Sequence, residues 1–184
     1  MRKLIAYEFL SIDGYMAGRE GQEMDFVTQN FINEMEADIA SEYENVDTFL
    51  FGRTTYESLS QYWPNVTIED EPLADLMNGM NKVVFSSTMD DLKWNNSKLS
   101  TKDLVEQVAE LKMKEGRNIM VIGSASIVQR LTEMKLIDEY KILLFPVVLG
   151  GGKPLFKELK DELHLKLTHS KTYNNGVLIL TYSK

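Results

Sequence analysis

Short apolar runs alternate along most of this chain with stretches in which apolar residues recur every three or four positions. The apolar runs predict buried strands at residues 3–12, 47–51, 82–85 and 118–122. The helical spacing predicts amphipathic helices at residues 28–43, 54–60, 73–80 and 127–134. Strand and helix therefore follow one another through roughly the first three quarters of the sequence.

Two of the predicted helices have features that can be checked residue by residue. The first places Phe31, Met35 and Ile39 on one inward stripe. A further helix is expected to begin at a capping box formed by Ser100 and Asp103, and to end at Gly116.

The last quarter of the chain is richer in strands. Alternating residues predict strands at 140–148, 164–173 and 177–182, the last two joined by a hairpin turn at residues 174–176. Together these elements predict one domain spanning residues 1–184. Its class is α/β, with a mostly parallel central sheet, antiparallel C-terminal strands and helices on both faces.

Glycine, hydroxyl and basic residues follow three of the predicted parallel strands. They are Gly52, Arg53, Thr54 and Thr55 after the second strand, Ser86, Ser87 and Thr88 after the third, and Gly123, Ser124, Ala125 and Ser126 after the fourth. Each group alone is typical of an ordinary turn or helix cap. Because ligands of open parallel sheets bind at the carboxyl ends of strands, where helix N-termini favour phosphate, the three groups together predict a dinucleotide site.

Composition narrows the possible functions mainly by exclusion. The chain has 184 residues and a net charge of -8, which argues against binding to the nucleic-acid backbone. It has no cysteine and two histidines, His164 and His169, so no metal site is expected. No apolar run is long enough to span a bilayer and no signal peptide is recognised, so we expect a cytoplasmic protein without a membrane partner.

The strand ends carry motifs that resemble a known family. The segment LFGRTTYESL resembles the strand-turn-helix of dihydrofolate reductases that cradles NADPH phosphates. VVFSST is similar to the strand whose serines contact the adenosine end of the cofactor, and IMVIGSASIV to the turn beneath the nicotinamide and pyrophosphate. The resemblance implies the dihydrofolate-reductase-like three-layer fold and assigns these roles to the residues of the three strand ends.

A closer resemblance is to the reductase domain at the C-terminus of the bifunctional riboflavin-biosynthesis deaminase-reductase. It is carried by FLSIDGYMAG, LIDEYKILLFPVVLGGGKPLF and the near-terminal hairpin. It implies NADPH as cofactor, hydride transfer as the reaction and a homodimer. The deaminase half would need a cysteine-containing zinc signature, so no deaminase activity is expected here.

The sequence departs from this family at two points. The paired glycines before the nicotinamide-side helix are here Gly123 and Ser124. The carboxylate that contacts the pterin ring in dihydrofolate reductases has three candidates, Asp25, Glu34 and Glu36, and none can be chosen from the sequence.

Three residues are candidates for substrate contact. Asp13 follows the first strand, Trp63 offers a flat surface for a heterocycle, and Lys153 follows three glycines that could hold a phosphate. The predicted function is an NADPH-dependent reductase of a small pterin-like or pyrimidine-like substrate. The alternatives are 5-amino-6-(5-phosphoribosylamino)uracil reductase and a non-catalytic, dimeric nucleotide-binding module. No catalytic proton donor is identified.

Overall fold

The computed structural model describes residues 1–157 and 159–184. The strands are β1 (Leu4–Ser11), β2 (Tyr15–Ala17), β3 (Val46–Gly52), β4 (Asn81–Phe85), β5 (Ser97–Leu99), β6 (Asn118–Ile122), β7 (Glu139–Phe145), β8 (Lys153–Pro154), β9 (Lys166–Thr172) and β10 (Leu178–Ser183). The helices are α1 (Asp25–Thr28), α2 (Asn33–Glu44), α3 (Arg53–Tyr62), α4 (Ala74–Gly79), α5 (Leu104–Met113) and α6 (Ala125–Glu133), with a 3-10 turn at Trp63–Asn65.

Eight strands form the central sheet in the order β5-β4-β3-β6-β1-β7-β10-β9. The first six are mutually parallel, whereas β10 runs antiparallel to both β7 and β9. β2 and β8 form a separate antiparallel pair. The predicted fold class is therefore confirmed.

Side chains of β1 alternate between two apolar cores because successive residues of a strand point to opposite faces. Ile5 and Tyr7 belong to the core that also contains residues of α1 to α4. Ala6 and Leu10 belong to the core shared with α5 and α6. Helices thus cover both faces, as predicted, and β1 is buried between them.

The predicted helix at 28–43 begins only at Asn33, so this prediction was wrong in its first turn. Ile32 has an extended backbone (φ -133°, ψ 154°) and lies just before α2, which keeps α2 separate from the short α1. Phe31 consequently leaves the inward stripe and is 37% exposed. Met35 and Ile39 are buried as predicted.

The predicted capping box at Ser100 was also wrong. The Asp103 side chain caps α5 by accepting hydrogen bonds from Val105 N (2.8 Å) and Glu106 N (3.3 Å). Ser100 is instead hydrogen-bonded to the central sheet, since its backbone N donates to the carbonyl of Val84 in β4 at 2.9 Å. The helix can therefore begin only at Leu104.

The C-terminal strands agree with the prediction except at their ends. β7 ends at Phe145 and β9 begins at Lys166. The hairpin turn at 174–176 is confirmed: Gly176 has φ +86°, and Tyr173 N donates to the Val177 carbonyl at 2.9 Å.

Within residues 1–157 and 159–184, every helix is too short or too polar to cross a bilayer.

Candidate functional site

The carboxyl ends of β4, β3 and β6 are adjacent because these strands are neighbours in the sheet. They open onto one groove of about 620 Å³, within the size range of small-molecule sites. Its lining is Gly52, Arg53, Thr54, Phe85, Ser86, Ser87, Thr88, Leu104, Ser124, Ser126, Ile127, Arg130 and Lys153. The structure thus brings together the three strand ends that the sequence singles out.

The end of β3 passes directly into α3 at Gly52. A Cβ on Gly52 would overlap the Ser124 hydroxyl, so the ends of β3 and β6 meet without room for a side chain. Arg53 is the first residue of α3, and its Nη1 donates to Thr88 Oγ1 at 3.0 Å. The guanidinium of Arg53 therefore links the ends of β3 and β4 while remaining about half exposed.

The end of β4 is a turn held by one hydroxyl. Ser86 Oγ accepts hydrogen bonds from the backbone N of Thr88 and of Met89, both at 3.2 Å. Ser87 and Thr88 are exposed on the groove. The Ser86 side chain thus shapes the turn, and Ser87 and Thr88 present their polar groups to a ligand.

The end of β6 has two successive residues in the left-handed region, Gly123 (φ +65°) and Ser124 (φ +72°). This conformation is uncommon for a residue with a side chain, and such strain concentrates at functional sites. Ser124 precedes the first residue of α6 and makes no capping hydrogen bond with its side chain. The first N–H groups of α6 therefore lack that side-chain partner, which favours a negatively charged ligand.

Two of the predicted site residues support the groove from behind. Thr55 packs against Gly123, where a Cβ would lie 3.0 Å from Thr55 Oγ1. Ala125 is 3% exposed and belongs to the apolar interior. These two residues and Gly123 are not among those that line the groove.

Three cations line this groove in an otherwise acidic protein. They are Arg53, Arg130 on α6 and Lys153 at the start of β8. The sequence reasoning assigned Lys153 to a substrate and missed Arg130. Arg130 lies one helical turn after Ser126, so the i, i+4 spacing on a predicted helix was a usable signal.

Asp13 is not among the residues that line the groove, and it holds the loop at residues 149–150 in place. Its carboxylate accepts hydrogen bonds from Ser11 Oγ (2.7 Å), Leu149 N (3.1 Å) and Gly150 N (2.7 Å). The Ser11 hydrogen bond and the two backbone amides lower the pKa of Asp13. Asp13 therefore ties the turn after β1 to the glycine-rich segment that leads to Lys153.

Trp63 lies away from the groove, in the 3-10 turn after α3. Its carbonyl accepts from Asn78 Nδ2 at 2.9 Å, and its ring packs edge-on against Tyr62 with centroids 5.3 Å apart. Its side chain also packs on the core beneath α3 and α4. These contacts are those of a packing residue.

The three candidate carboxylates near the first helices also lie outside the groove lining. Glu34 pairs with Lys171 of β9 at 2.9 Å. Asp25 is exposed on α1, and Glu36 is partly buried on α2. The structure thus gives Glu34 an ion-pair partner and places none of the three carboxylates in the groove lining.

Glu8 is an acidic residue of β1 that the sequence reasoning missed. It is 1% exposed, and burial raises its pKa well above the usual range, against the opposing effects of the Gly123 N–H and the Lys153 charge. Its Oε1 has no hydrogen-bond partner among the described residues. The signal in the sequence was a charged residue inside an apolar strand, which is rare without a partner.

Two Bacillus subtilis (strain 168) proteins of uncharacterized function are similar over nearly their whole length. YyaP is 30% identical over 98% of this chain and 94% of its own, and YwjB is 31% identical over 96% and 95%.

Two solved structures have a fold similar to that of this chain. A putative riboflavin biosynthesis protein from Shewanella sp. PV-4 superposes with a TM-score of 0.81 at 28% identity, covering 98% of both chains. A diaminohydroxyphosphoribosylaminopyrimidine deaminase/5-amino-6-(5-phosphoribosylamino)uracil reductase from Thermotoga maritima has a TM-score of 0.70 at 11% identity, covering 99% of this chain and 56% of that one. At that identity the Thermotoga likeness shows the fold alone.

A family model, the RibD C-terminal domain, matches residues 2–179. The match includes the three strand ends, the glycine-rich loop and most of the C-terminal hairpin. The chain therefore belongs to the RibD C-terminal domain family and has its dihydrofolate-reductase-like fold.

Proposed function

We propose that this chain is an NADPH-dependent reductase that transfers hydride to a small heterocyclic substrate, pyrimidine-like or pterin-like. The observation that carries the proposal is the groove in which three strand ends, two helix N-termini and three cations meet. Family membership supports the same reaction class, since the resemblance to the RibD C-terminal domain implies hydride transfer.

The residues of the groove fit a ligand with several phosphates. The N-termini of α3 and α6 offer backbone N–H groups, and Arg53, Arg130 and Lys153 offer positive charge. The missing side chain at Gly52 brings the backbone of β3 against Ser124, which leaves both helix N-termini near the same point of the groove. This combination favours a pyrophosphate across the ends of β3 and β6.

The end of β4 fits the adenosine side of the cofactor. Ser87 and Thr88 are exposed there, and Arg53 reaches Thr88. A guanidinium beside two exposed residues with hydroxyl groups is suited to the extra phosphate of NADPH. We therefore assign the adenosine end to residues 86–88 and the nicotinamide side to residues 123–126.

When bound, NADPH would supply the hydride, and the chain would orient it and exclude water. Gly123 and Ser124 would place the cofactor backbone over the end of β6. Lys153, held by the loop that Asp13 ties to β1, would bring a positive charge to the phosphates.

The substrate is proposed to bind at the carboxyl ends of the sheet strands. Large aromatic residues fill the space between β1 and α2: Tyr7 is fully buried, and its ring lies 6.0 Å from that of Tyr43. Glu34 on α2 is already paired with Lys171. These contacts favour a pyrimidine-like substrate over a folate inserted beneath α2.

The second candidate is 5-amino-6-(5-phosphoribosylamino)uracil reductase, an activity that the description of the Thermotoga protein includes. The observation that favours it is the glycine-rich segment at residues 150–152, where Asp13 holds the Gly150 amide and the amides of Gly151 and Gly152 precede the Lys153 cation. Turnover of that phosphoribosyl substrate, lost in Lys153→Ala, would support it.

The proposal is tested by calorimetry with NADPH, NADH and NADP+, followed by NADPH oxidation with pyrimidine and pterin substrates. We expect binding of NADPH and turnover of a pyrimidine. Binding without turnover of any substrate would favour a non-catalytic nucleotide-binding module. Failure of all three nucleotides to bind would overturn the proposal.

We also propose that the protein works as a cytoplasmic homodimer. β9 is an edge strand of the central sheet, and most of its side chains are exposed. An unpaired strand edge is a template for pairing with another chain. Light scattering is expected to give twice the 21.1 kDa chain mass, and a monomer at micromolar concentration would contradict this.

A further inference from the structure

Glu8 occupies the position next to the groove along the sheet. In the strand order, β1 follows β4, β3 and β6. Tyr7 is paired with Ile122, the last residue of β6, so Glu8 lies at the level where β6 ends and the Gly123 turn begins. A ligand extended along these strand ends would reach Glu8 after Gly123.

The side chain of Glu8 points to the face covered by α5 and α6. Leu4, Ala6 and Leu10 of β1 lie in the core on that face, and Glu8 shares their alternation. Its carboxyl group is close enough to the Gly123 N–H and the Lys153 ammonium for both to act on its charge. Ser124, next to Gly123, and Lys153 itself line the groove.

One oxygen of this carboxyl group is unsatisfied. The residue is 99% buried, and its Oε1 has no hydrogen-bond partner in the described part of the chain. A buried polar group without a partner is unfavourable, and a native structure that keeps one needs a reason. A ligand group that hydrogen-bonds Oε1 would supply it.

We propose that Glu8 is the positioning residue for the reactive ring of the bound nicotinamide cofactor, through a hydrogen bond to the ring's carboxamide. This inference rests on the proposed function. The phosphates are drawn to Arg53, Arg130 and Lys153, so the uncharged ring end extends past Gly123 toward β1. Glu8 is the one charged side chain of β1, and its carboxyl group adjoins Gly123 and Lys153.

The chemistry of the two groups is complementary. A carboxamide has N–H donors and a carbonyl acceptor, and a protonated carboxylic acid has one O–H donor and an acceptor oxygen. Burial favours the protonated form of Glu8. Acid and amide can then form a pair of hydrogen bonds that fixes the plane of the ring.

The test compares two ligands that differ only at the ring. One is NADPH, and the other is 2'-phospho-ADP-ribose, which keeps the adenosine and phosphates but lacks the nicotinamide. Their affinities are measured for the full chain and for Glu8→Leu, Glu8→Gln and the control Glu44→Gln, which changes an exposed residue at the end of α2. Thermal unfolding verifies that each variant is folded.

We expect Glu8→Leu to weaken NADPH about 10-fold, which corresponds to ~1.4 kcal/mol, and to leave 2'-phospho-ADP-ribose unchanged. Glu8→Gln should restore most of the NADPH affinity, because an amide also donates and accepts. Equal weakening of both ligands, or no change for either, would overturn the role of Glu8. Failure of both ligands to bind the unaltered chain would instead overturn the proposed function.

Should Glu8→Leu fail to fold, Glu8→Met takes its place, because it keeps the length of the side chain and removes both oxygens. It should weaken NADPH, leave 2'-phospho-ADP-ribose unchanged and alter the dihydronicotinamide fluorescence on binding. Unchanged NADPH affinity and emission, or altered affinity for both ligands, would contradict the contact with the ring.

Discussion

The hydroxyl group of Ser124 fills the space that a side chain on Gly52 would occupy. Gly52 is the last residue of β3, and Ser124 immediately precedes the helix after β6. The two residues are 72 positions apart in the chain. Their contact joins two strand ends into one floor of the groove. The contact also requires glycine at position 52, although the backbone of Gly52 (φ -84°) would accept any residue.

We expect Gly52→Ala to destabilise the protein by about 1–3 kcal/mol, because the added methyl group overpacks the contact with Ser124. The double variant Gly52→Ala/Ser124→Gly removes the obstructing side chain and should recover most of the loss. Urea unfolding of both variants and of Ser124→Gly measures the coupling. Purely additive effects would show that the contact is not the cause.

Arg53→Ala is expected to weaken NADPH binding by roughly 1–3 kcal/mol through loss of a charge-assisted contact. The effect should be smaller for NADH, which lacks the 2'-phosphate that Arg53 and Thr88 are proposed to hold. Calorimetry measures both affinities, with Arg117→Ala as a control because Arg117 is exposed just before β6, at the end of the strand opposite the groove. Unchanged NADPH affinity would remove Arg53 from the site.

Asp13→Asn should lower stability at neutral pH and lose this effect in acid. Hydrogen bonds from Ser11 and the two amides hold the folded-state pKa of Asp13 below its unfolded value. Its contribution is therefore present above the unfolded pKa of about 3.9 and is lost as the pH falls through the folded value. Urea midpoints from neutral pH downward test this.

The control for this experiment is Asp91→Asn, an exposed carboxylate between β4 and β5. Asp91→Asn should change the midpoint little at any pH. If the deficit of Asp13→Asn stays constant in acid, the Asp13 carboxylate does not hold the loop through its charge.

Glu8 should affect stability with the opposite pH dependence. Burial raises its folded-state pKa above the unfolded value of about 4.3. Its favourable contribution is then present below the unfolded pKa and is lost as the pH rises through the folded value. Glu8→Gln should remove this loss, so its urea midpoint should fall less than that of the unaltered chain from acid to neutral pH. Parallel curves for the two proteins would contradict a buried, titrating Glu8.

The order of helices and strands could be predicted from the sequence because it depends on local periodicity. The run 118–122, for example, is apolar on both sides as a central parallel strand must be, and β6 has those bounds. The residues at the strand ends followed from the same pattern, since a glycine or hydroxyl after such a run marks the place where a helix begins.

Exact helix starts depended on contacts that the local pattern does not contain. Ser100 has the residue type of a cap, but its backbone pairs with β4, so Asp103 caps α5 instead. Phe31 has the right spacing for an inward stripe, but the extended backbone at Ile32 turns it outward. In both cases a tertiary contact or a backbone break overrode the periodicity.

By itself the sequence therefore determined the α/β class, the strand ends and the residues after them, because these follow from neighbours along the chain. Only the tertiary structure decided which strand ends share a groove, that Arg130 and Lys153 join Arg53 there, and that Glu8 is buried beside Gly123. Those facts depend on the strand order β4-β3-β6-β1, which joins segments far apart in sequence through register and packing.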